Sequence, residues 1–462
     1  MTEPYVELHC HSYYSLLDAA SSPEALLRRA VELGMPALAL TDHDGLYGAV
    51  EFWRVARKLG VHPVIGAELT LLHGSHLTLL AENQEGYGNL SRLISTGQMA
   101  GSKGNPKLSI EDVAQHARGL LCLTGCREGA VAAAVLLDDE KLAARSAGRL
   151  VDIFGRDRVW IELQRHWLPD DTRLDAGLRG VARMTGLPLV ATNDAHYAVP
   201  EDHRLRDILL ATRDLITLTE LAARPGGHNS TEFYLKGAAE MTALFSDLPD
   251  ALAATQAIAE RCHVSMDFSD RRTPAFPGRA PDFPPGIPPD ETAFSYLHTL
   301  CYQGLRNRFK PVTPAAVKQL AHELTVIERA GLADYFLIVW DIVRYAREAG
   351  IRCQGRGSAA NSLVAYVLGI TPVDPLRHNL LFERFLSERT DTMPDIDIDF
   401  AADRRDEVVR YVYERYGAEH AAMVCNVVTY QWRLAVRDVA RALGFSPEDV
   451  TRISELLAGG GG

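Results

Sequence analysis

YVELHCHS (residues 5–12) alternates like a strand and ends in two imidazoles, His9 and His11; PALALTDH (36–43) is a short apolar run that ends in Asp42 and His43. The same grammar recurs along the first 200 residues. HPVIGAEL (62–69) carries Glu68 at its end, HLTLLAE (76–82) begins with His76, and GLLCLTG (119–125) is followed by Cys126. RVWIELQ (158–164) is a further candidate, and LPLVATND (187–194) leads into Asp194 and His196. Helical patterns separate most of these runs. The first is the clearest, with Ser22 as N-cap, Pro23 at the first helical position and Gly34 at the stop. Seven strands alternating with helices predict an α/β fold with a parallel sheet. The reactive side chains cluster where strands end. A β/α barrel gathers such ends into one pocket, whereas an open sheet spreads them along an edge, so a barrel is expected.

An HxH pair on a strand puts both imidazoles on one face. Imidazoles, carboxylates and a thiolate together suit Zn²⁺, Mn²⁺ or Fe²⁺ better than Mg²⁺ or Ca²⁺, which prefer all-oxygen shells. The donors outnumber what one ion needs, which points to two or three. Clustered ions polarise phosphoryl groups and generate hydroxide near neutral pH. A lone histidine reads as a surface or satisfied residue; a set recurring at strand ends does not.

The whole chain has 462 residues and a net charge of −12, with 47% hydrophobic and 23% charged residues. That composition excludes a disordered, collagen-like or disulfide-stapled chain. No apolar run approaches a membrane span, and the N-terminus lacks the pattern of a signal peptide, so a cytoplasmic location is expected. The 7 cysteines are scattered without CxxC pairs and read as thiols or metal ligands. Net acidity argues against a general polyanion-binding surface, but −9 of it lies in residues 1–289. Seven prolines between Pro274 and Pro289 mark a linker (273–289) between two domains.

Beyond the linker the pattern changes. Residues 314–349 read as helices, and the aromatic residues of DYFLIVWDIVRYA (334–346) read as core. CQGRGSAANS (353–362) places a Gly-Ser turn before a helical pattern, whose free N–H groups would suit a phosphate. PDIDIDF (394–400) alternates strictly, with Ile396, Ile398 and Phe400 on one face and Asp395, Asp397 and Asp399 on the other. Three carboxylates on one strand face repel each other, and cations relieve that repulsion. Two carboxylates spaced i, i+2 suit a pair of Mg²⁺ ions for nucleotidyl transfer.

Two resemblances follow. ELHCHS (7–12), LTDHDGLYG (40–48), GAEL (66–69) and ATNDAHY (191–197) resemble the polymerase-and-histidinol-phosphatase (PHP) domain. The resemblance implies a distorted seven-stranded β/α barrel with a trinuclear metal site over residues 1–272. Its ligands would be His9, His11, Asp18, His43, Glu68, His76, Cys126, Asp194 and His196, holding Zn²⁺, Mn²⁺ or Fe²⁺. All nine positions carry a competent donor, which implies bound metal and 3′–5′ exonuclease or related phosphoesterase activity. Asp42, Asp44 and His62 read as structural.

GRGSAANSLVAYVLGIT (355–371), LLFERFLSERT (380–390) and PDIDIDF with its following Arg-Arg helix resemble bacterial C-family DNA polymerases of the DnaE α-subunit type. The spelling CQGRGSAANS and the intact metal set look like the error-prone, damage-induced (ImuC-like) branch. This implies an α+β palm of the nucleotidyltransferase type over 290–425 and the start of a thumb over 426–462. Asp395 and Asp397 would be catalytic Mg²⁺ ligands, with Asp399 supporting. Arg356, Gly357, Ser358, Arg384 and Arg389 would bind the nucleotide. The implied partners are primer-template DNA and a dNTP. A sliding clamp and other damage-response factors would bind through regions this chain lacks. The family's third catalytic aspartate, near a KFDFLGL-like stretch, has no counterpart after RDVARALGFSPEDVTRISELL (437–457). The chain therefore reads as an N-terminal piece of such a polymerase; the alternatives are a stand-alone phosphoesterase or exonuclease, and a non-catalytic remnant.

Overall fold

The computed structural model describes residues 5–224, 230–267, 287–288, 290–386, 394–418, 420–424 and 426–459. Most of the proline-rich linker lies outside them. The chain forms two compact units, Met1–Met266 with Thr429–Gly462, and Asp267–Val428. Among the described residues no helix is long and apolar enough to cross a membrane.

The first unit is built on a six-stranded sheet of β1 (Ala37–Leu40), β2 (His62–Thr70), β3 (His76–Ala81), β4 (Leu120–Leu123), β5 (Val159–Leu163) and β6 (Leu189–Ala191), in that spatial order. The seventh expected strand, Tyr5–Cys10, pairs by single bridges. Ala39 donates to the Glu7 carbonyl at 2.9 Å, while on the far side His11 donates to the Ala195 carbonyl at 2.7 Å and Ala195 to the His9 carbonyl at 2.9 Å. The segment thus closes the sheet between β1 and the residues after β6.

The sheet is not uniformly parallel as expected. β3 runs antiparallel to both β2 and β4; the other pairs are parallel. The reason is the connection. Only Leu71–Ser75 separate β2 from β3, too few residues for the crossover that a parallel pair needs. The reversal has a functional consequence. The first residue of β3, His76, lies at the edge where its parallel neighbours end.

Period-two alternation sorts the strand side chains. Ile65, Ala67, Leu69, Leu79, Cys122 and Ile161 pack into the core shared with the surrounding helices. Val64, Leu80, Leu121, Leu123, Trp160 and Val190 form a second cluster with Ile258 and Cys262 from the chain's return over this face. Continuing along that second face, the same alternation brings up Glu68, Thr78 and Glu162, all buried. The apolar floor therefore turns polar towards one end of the sheet.

The second unit packs helices Ala293–Arg308, Pro314–Arg329 and Ala333–Glu348 around Leu297, Leu305, Leu320, Ile327 and Phe336. Phe336 is buried there and Tyr335 and Trp340 pack against the cluster partly exposed, whereas Tyr345 stacks on Tyr411, so the expectation that the aromatic residues are core holds in full only for Phe336. Strands β7 (Cys353–Arg356) and β8 (Asp397–Phe400) form an antiparallel pair beside these helices. Helices Trp432–Ala442 and Pro447–Gly459 belong to the first unit, where Ala442 packs with Leu210, Ala211 and Leu221.

Candidate metal centre and aspartate strand

Glu68 is the hub of the polar end of the first unit. Its two carboxylate oxygens lie 3.5 Å from His9 Nε2, 3.6 Å from His11 Nε2, 3.1 Å from His43 Nδ1 and 3.3 Å from His76 Nδ1. Asp194 Oδ1 lies 3.2 Å from His11 Nε2 and 3.5 Å from His9 Nε2. Asp18 Oδ2 lies 2.8 Å from His196 Nε2 and 3.6 Å from His43 Nε2. Cys126 Sγ sits 3.4 Å from His76 Nδ1. All nine candidate ligands named from the sequence are thus brought into one contiguous cluster, including Asp18 from a loop. Asp194 adopts φ +46°, a left-handed conformation that Asp tolerates better than most residues and that aims its carboxylate inward.

Three triads have donor atoms close enough to share an ion: His11–His43–His196, His9–His11–Asp194 and His43–Glu68–His76. Four buried atoms, His9 Nε2, His11 Nε2, Glu68 Oε1 and Asp194 Oδ1, make no hydrogen bond. Each such atom costs about 1–3 kcal/mol if it stays unsatisfied. All four face the same space, and their mixed N, O and S surroundings fit divalent transition ions.

The electrostatics agree with that fit. Burial alone would depress the His9 imidazole, yet the Glu162, Asp194 and Glu68 carboxylates hold it well above its ordinary value. Burial opposes charge on His43 as well, but Glu68 and Asp18 raise it to about 9. His11 goes the other way, lowered to about 3 by burial and by His43 and His196. Glu68 and Asp194 lie well below the carboxylate range despite burial, because imidazoles surround them. The carboxylates thus favour positive charge at His9 and His43, whereas burial and the crowded imidazoles disfavour it at His11.

The aspartate strand has a simpler geometry. Gly355 pairs with Ile398 and Arg356 with Asp397 across β7 and β8. Ile396 and Ile398 lie against the core, while Asp395 and Asp399 are exposed and Asp397 partly so. The Arg356 guanidinium bridges Asp397 and Asp399 at 3.1 Å each and offsets their repulsion. Gly357 has φ +69°, and a Cβ there would stand 3.4 Å from Asp397 Oδ2. Ser358 Oγ donates to the Asp395 carbonyl at 3.4 Å. The turn and the strand are thus in direct contact. Arg384 is exposed on the turn Phe382–Arg384, which neighbours Gly357–Asn361. Arg389 lies outside the described residues.

Comparison with known proteins decides the lineage. Residues 7–166 match the PHP domain family, and residues 295–460 match the family described as bacterial DNA polymerase III alpha NTPase domain. The chain carries a PHP domain followed by a polymerase III alpha domain. It is 44% identical over 96% of its length to a Mycobacterium bovis protein named error-prone DNA polymerase, covering 41% of that protein. A Symbiobacterium thermophilum protein of the same name is 41% identical over 98% of this chain, with 42% of its own length covered. A Treponema pallidum protein named DNA polymerase III subunit alpha is 38% identical, with 39% covered. The chain thus spans about two fifths of the length of these curated relatives.

Several residues of the PHP domain escaped sequence reading. Glu162 accepts from His9 Nδ1 across 2.7 Å, and also takes the Thr192 hydroxyl at 2.6 Å. It fixes the His9 ring, as an outer carboxylate does for a metal-bound histidine. Glu7 accepts the backbone N–H groups of His9 and Asn193 at 2.9 Å each, tying the two edges that carry ligands. Burial pushes its carboxyl up to about 7. Arg213 holds the other oxygen of Asp18 at 2.8 Å. The legible signal was a single acid inside an apolar strand, in YVELHC and in RVWIELQ. Asp42 accepts from Ser12 and Ser15, Asp44 from Thr70, and His62 bonds the Cys262 carbonyl, in keeping with structural roles.

In the polymerase domain one expectation fails. The helix after the Gly-Ser turn, Leu363–Val367, does not offer its N-terminus to a phosphate. Buried Glu323 already accepts the N–H groups of Leu363 and Val364 at 2.9 and 3.0 Å and the Ser362 hydroxyl at 2.9 Å. A carboxylate on the Pro314–Arg329 helix fills the site for structure. Glu323→Ala is expected to cost about 1–3 kcal/mol by orphaning these donors. Denaturant unfolding of the variant checks this, and a loss under about 0.5 kcal/mol contradicts it.

Proposed function

We propose that this chain contributes a metal-dependent phosphoesterase centre and part of the palm to an error-prone DNA polymerase. The reaction of the whole protein is template-directed nucleotidyl transfer, on primer-template DNA with dNTPs, in the bacterial cytoplasm during translesion synthesis. The observation that carries this reading is the match over 96% of the chain to proteins named error-prone DNA polymerase. The contact between the Gly357–Ser358 turn and the aspartate strand supports it. A sliding clamp would engage parts of the protein beyond this chain.

In this reading Asp395 and Asp397 hold the catalytic Mg²⁺ pair and Asp399 supports them. Mg²⁺, when bound, activates the primer 3′-hydroxyl and steadies the leaving pyrophosphate. Gly357 leaves room for phosphate oxygens beside Asp397, and Ser358 offers a hydroxyl. Arg356, beside Asp397 and Asp399, would offer its planar fork to the triphosphate once Mg²⁺ neutralised those carboxylates. Arg384 would add charge to the same site, and Arg389 is expected, from the family resemblance alone, to bind the nucleotide with it.

A second reading concerns the PHP domain and is favoured by the four orphaned buried atoms. His9, His11, Asp18, His43, Glu68, His76, Cys126, Asp194 and His196 hold transition ions, which supply Lewis acidity and a hydroxide nucleophile. The preferred activity is release of nucleotides from a 3′ end. Purified residues 1–462 are expected to give no template-directed incorporation, because they carry only the first two palm aspartates. The full-length protein is expected to extend a primer. Extension by the 462-residue chain, or none by the full-length protein, overturns the first reading. Nucleotide release by the chain that survives unchanged in His11→Ala overturns the second.

A further inference from the structure

Beside the metal cluster lies a cavity of about 300 Å³, and His76 belongs to the walls of both. The cavity is bounded by the Leu71–Leu77 turn, the start of the Ile110–Gln115 helix, the start of the Ala130–Leu136 helix and one side of the Glu140–Phe154 helix. We propose that it receives the terminal nucleobase of a nucleotide whose phosphate lies at the metal cluster. This rests on the phosphoesterase reading and adds to it a place for the base of the nucleotide.

The walls fit a flat, largely apolar group with polar edges. Leu71, Leu77, Ile110, Val131 and Leu150 line it. The hydroxyl of Ser146 sits among them, available to the edge of a base, while that of Ser109 is committed to Asp112 as the cap of its helix. Its volume is at the small end for ligand sites, enough for one base and not for a base pair. Arg149 and Glu111 pair at the rim, both exposed, which places a donor and an acceptor at the entrance. The connection of the cavity to the chemistry is a single imidazole, since His76 Nδ1 stands 3.3 Å from Glu68 Oε1.

The rim is also held in an uncommon backbone conformation. His73 and Gly74 are both left-handed, at φ +73° and +80°. A histidine there costs energy that a glycine would not, and such strain collects at functional sites. The turn is short because β3 is antiparallel. The same reversal that delivers His76 to the metals therefore builds one wall of the cavity.

The test is equilibrium binding to the metal-loaded 462-residue chain, followed by calorimetry with dAMP and with 2-deoxyribose 5-phosphate. Both carry the phosphate, and only the first carries a base. Burying the base is expected to make dAMP bind roughly tenfold or more tightly. Ser146→Trp and Ile110→Trp fill the cavity from different walls. Each is expected to bring dAMP to the level of the sugar phosphate, with sugar-phosphate affinity and metal content unchanged. Equal binding of the two ligands by the unaltered chain overturns the proposal, as does binding of neither. So does a base preference that survives in both filled variants. The unaltered chain decides by itself if a variant misfolds. Cleavage is not the readout, so a chain that binds dAMP selectively but hydrolyses nothing keeps this proposal and loses the phosphoesterase reading.

Discussion

Asp397→Ala in the full-length protein is expected to lower template-directed incorporation on the order of a thousandfold or more, since the carboxylate would hold the metal that stabilises the transferring phosphoryl group. Asp395→Ala is expected to match it, and Asp399→Ala to cost far less. The ranking follows from position. Asp397 faces the Gly357–Ser358 turn, and the Asp395 carbonyl accepts from Ser358, whereas Asp399 lies farther along β8 opposite Gln354. Folding should survive, because these side chains are exposed or partly so and removal of one lessens repulsion. An exposed substitution of this kind typically stays within about 0.5 kcal/mol. Single-nucleotide incorporation on a primer-template, with circular dichroism as the folding control, measures both. Activity within tenfold of wild type for both Asp395→Ala and Asp397→Ala would sink the assignment of the palm.

Legibility was uneven for physical reasons. Period-two patterns at His9–His11 and Asp395–Asp399 were readable because a strand forces alternate side chains onto one face. The barrel class was readable because ligands recurred at strand ends. The direction of β3 was not inferred, although the short span Leu71–Ser75 between two apolar runs already forbade a parallel crossover. That reversal is what puts His76, the first residue of its run, beside Glu68. Glu162 and Glu323 were missed for a different reason. Their partners are distant in sequence, His9 for one and Leu363 with Val364 for the other, so no local spacing announces them. What a local reading can register is that a lone acid in an apolar run must be paired. The Gly-Ser turn shows the converse. Its conformation was legible from glycine, but the occupant of the next helix N-terminus was a tertiary fact.

Glu68→Ala is expected to strip the PHP domain of most of its transition metal and to abolish nucleotide release there. Among the described residues Glu68 is the one carboxylate placed against four imidazoles, those of His9, His11, His43 and His76. Its loss removes the negative charge that makes a cluster of cations tolerable at that spacing. Glu162→Gln offers the graded comparison. It keeps the shape and removes the charge behind His9, and outer-ligand changes of this kind weaken metal binding about 10–100-fold. Elemental analysis after gel filtration should therefore rank wild type above Glu162→Gln and Glu162→Gln above Glu68→Ala. Acid should act in the same direction, since an imidazole must be neutral to ligate and protons compete for its lone pair. Retained metal should fall as pH is lowered in wild type. Glu68→Ala with wild-type metal content would mean that Glu68 holds none of the ions; wild type that retains no transition metal at all would mean that the cluster is a buried network of ion pairs, held by protonated imidazoles rather than by cations. That outcome would leave the orphaned atoms of His9, His11 and Asp194 without a ligand to explain them.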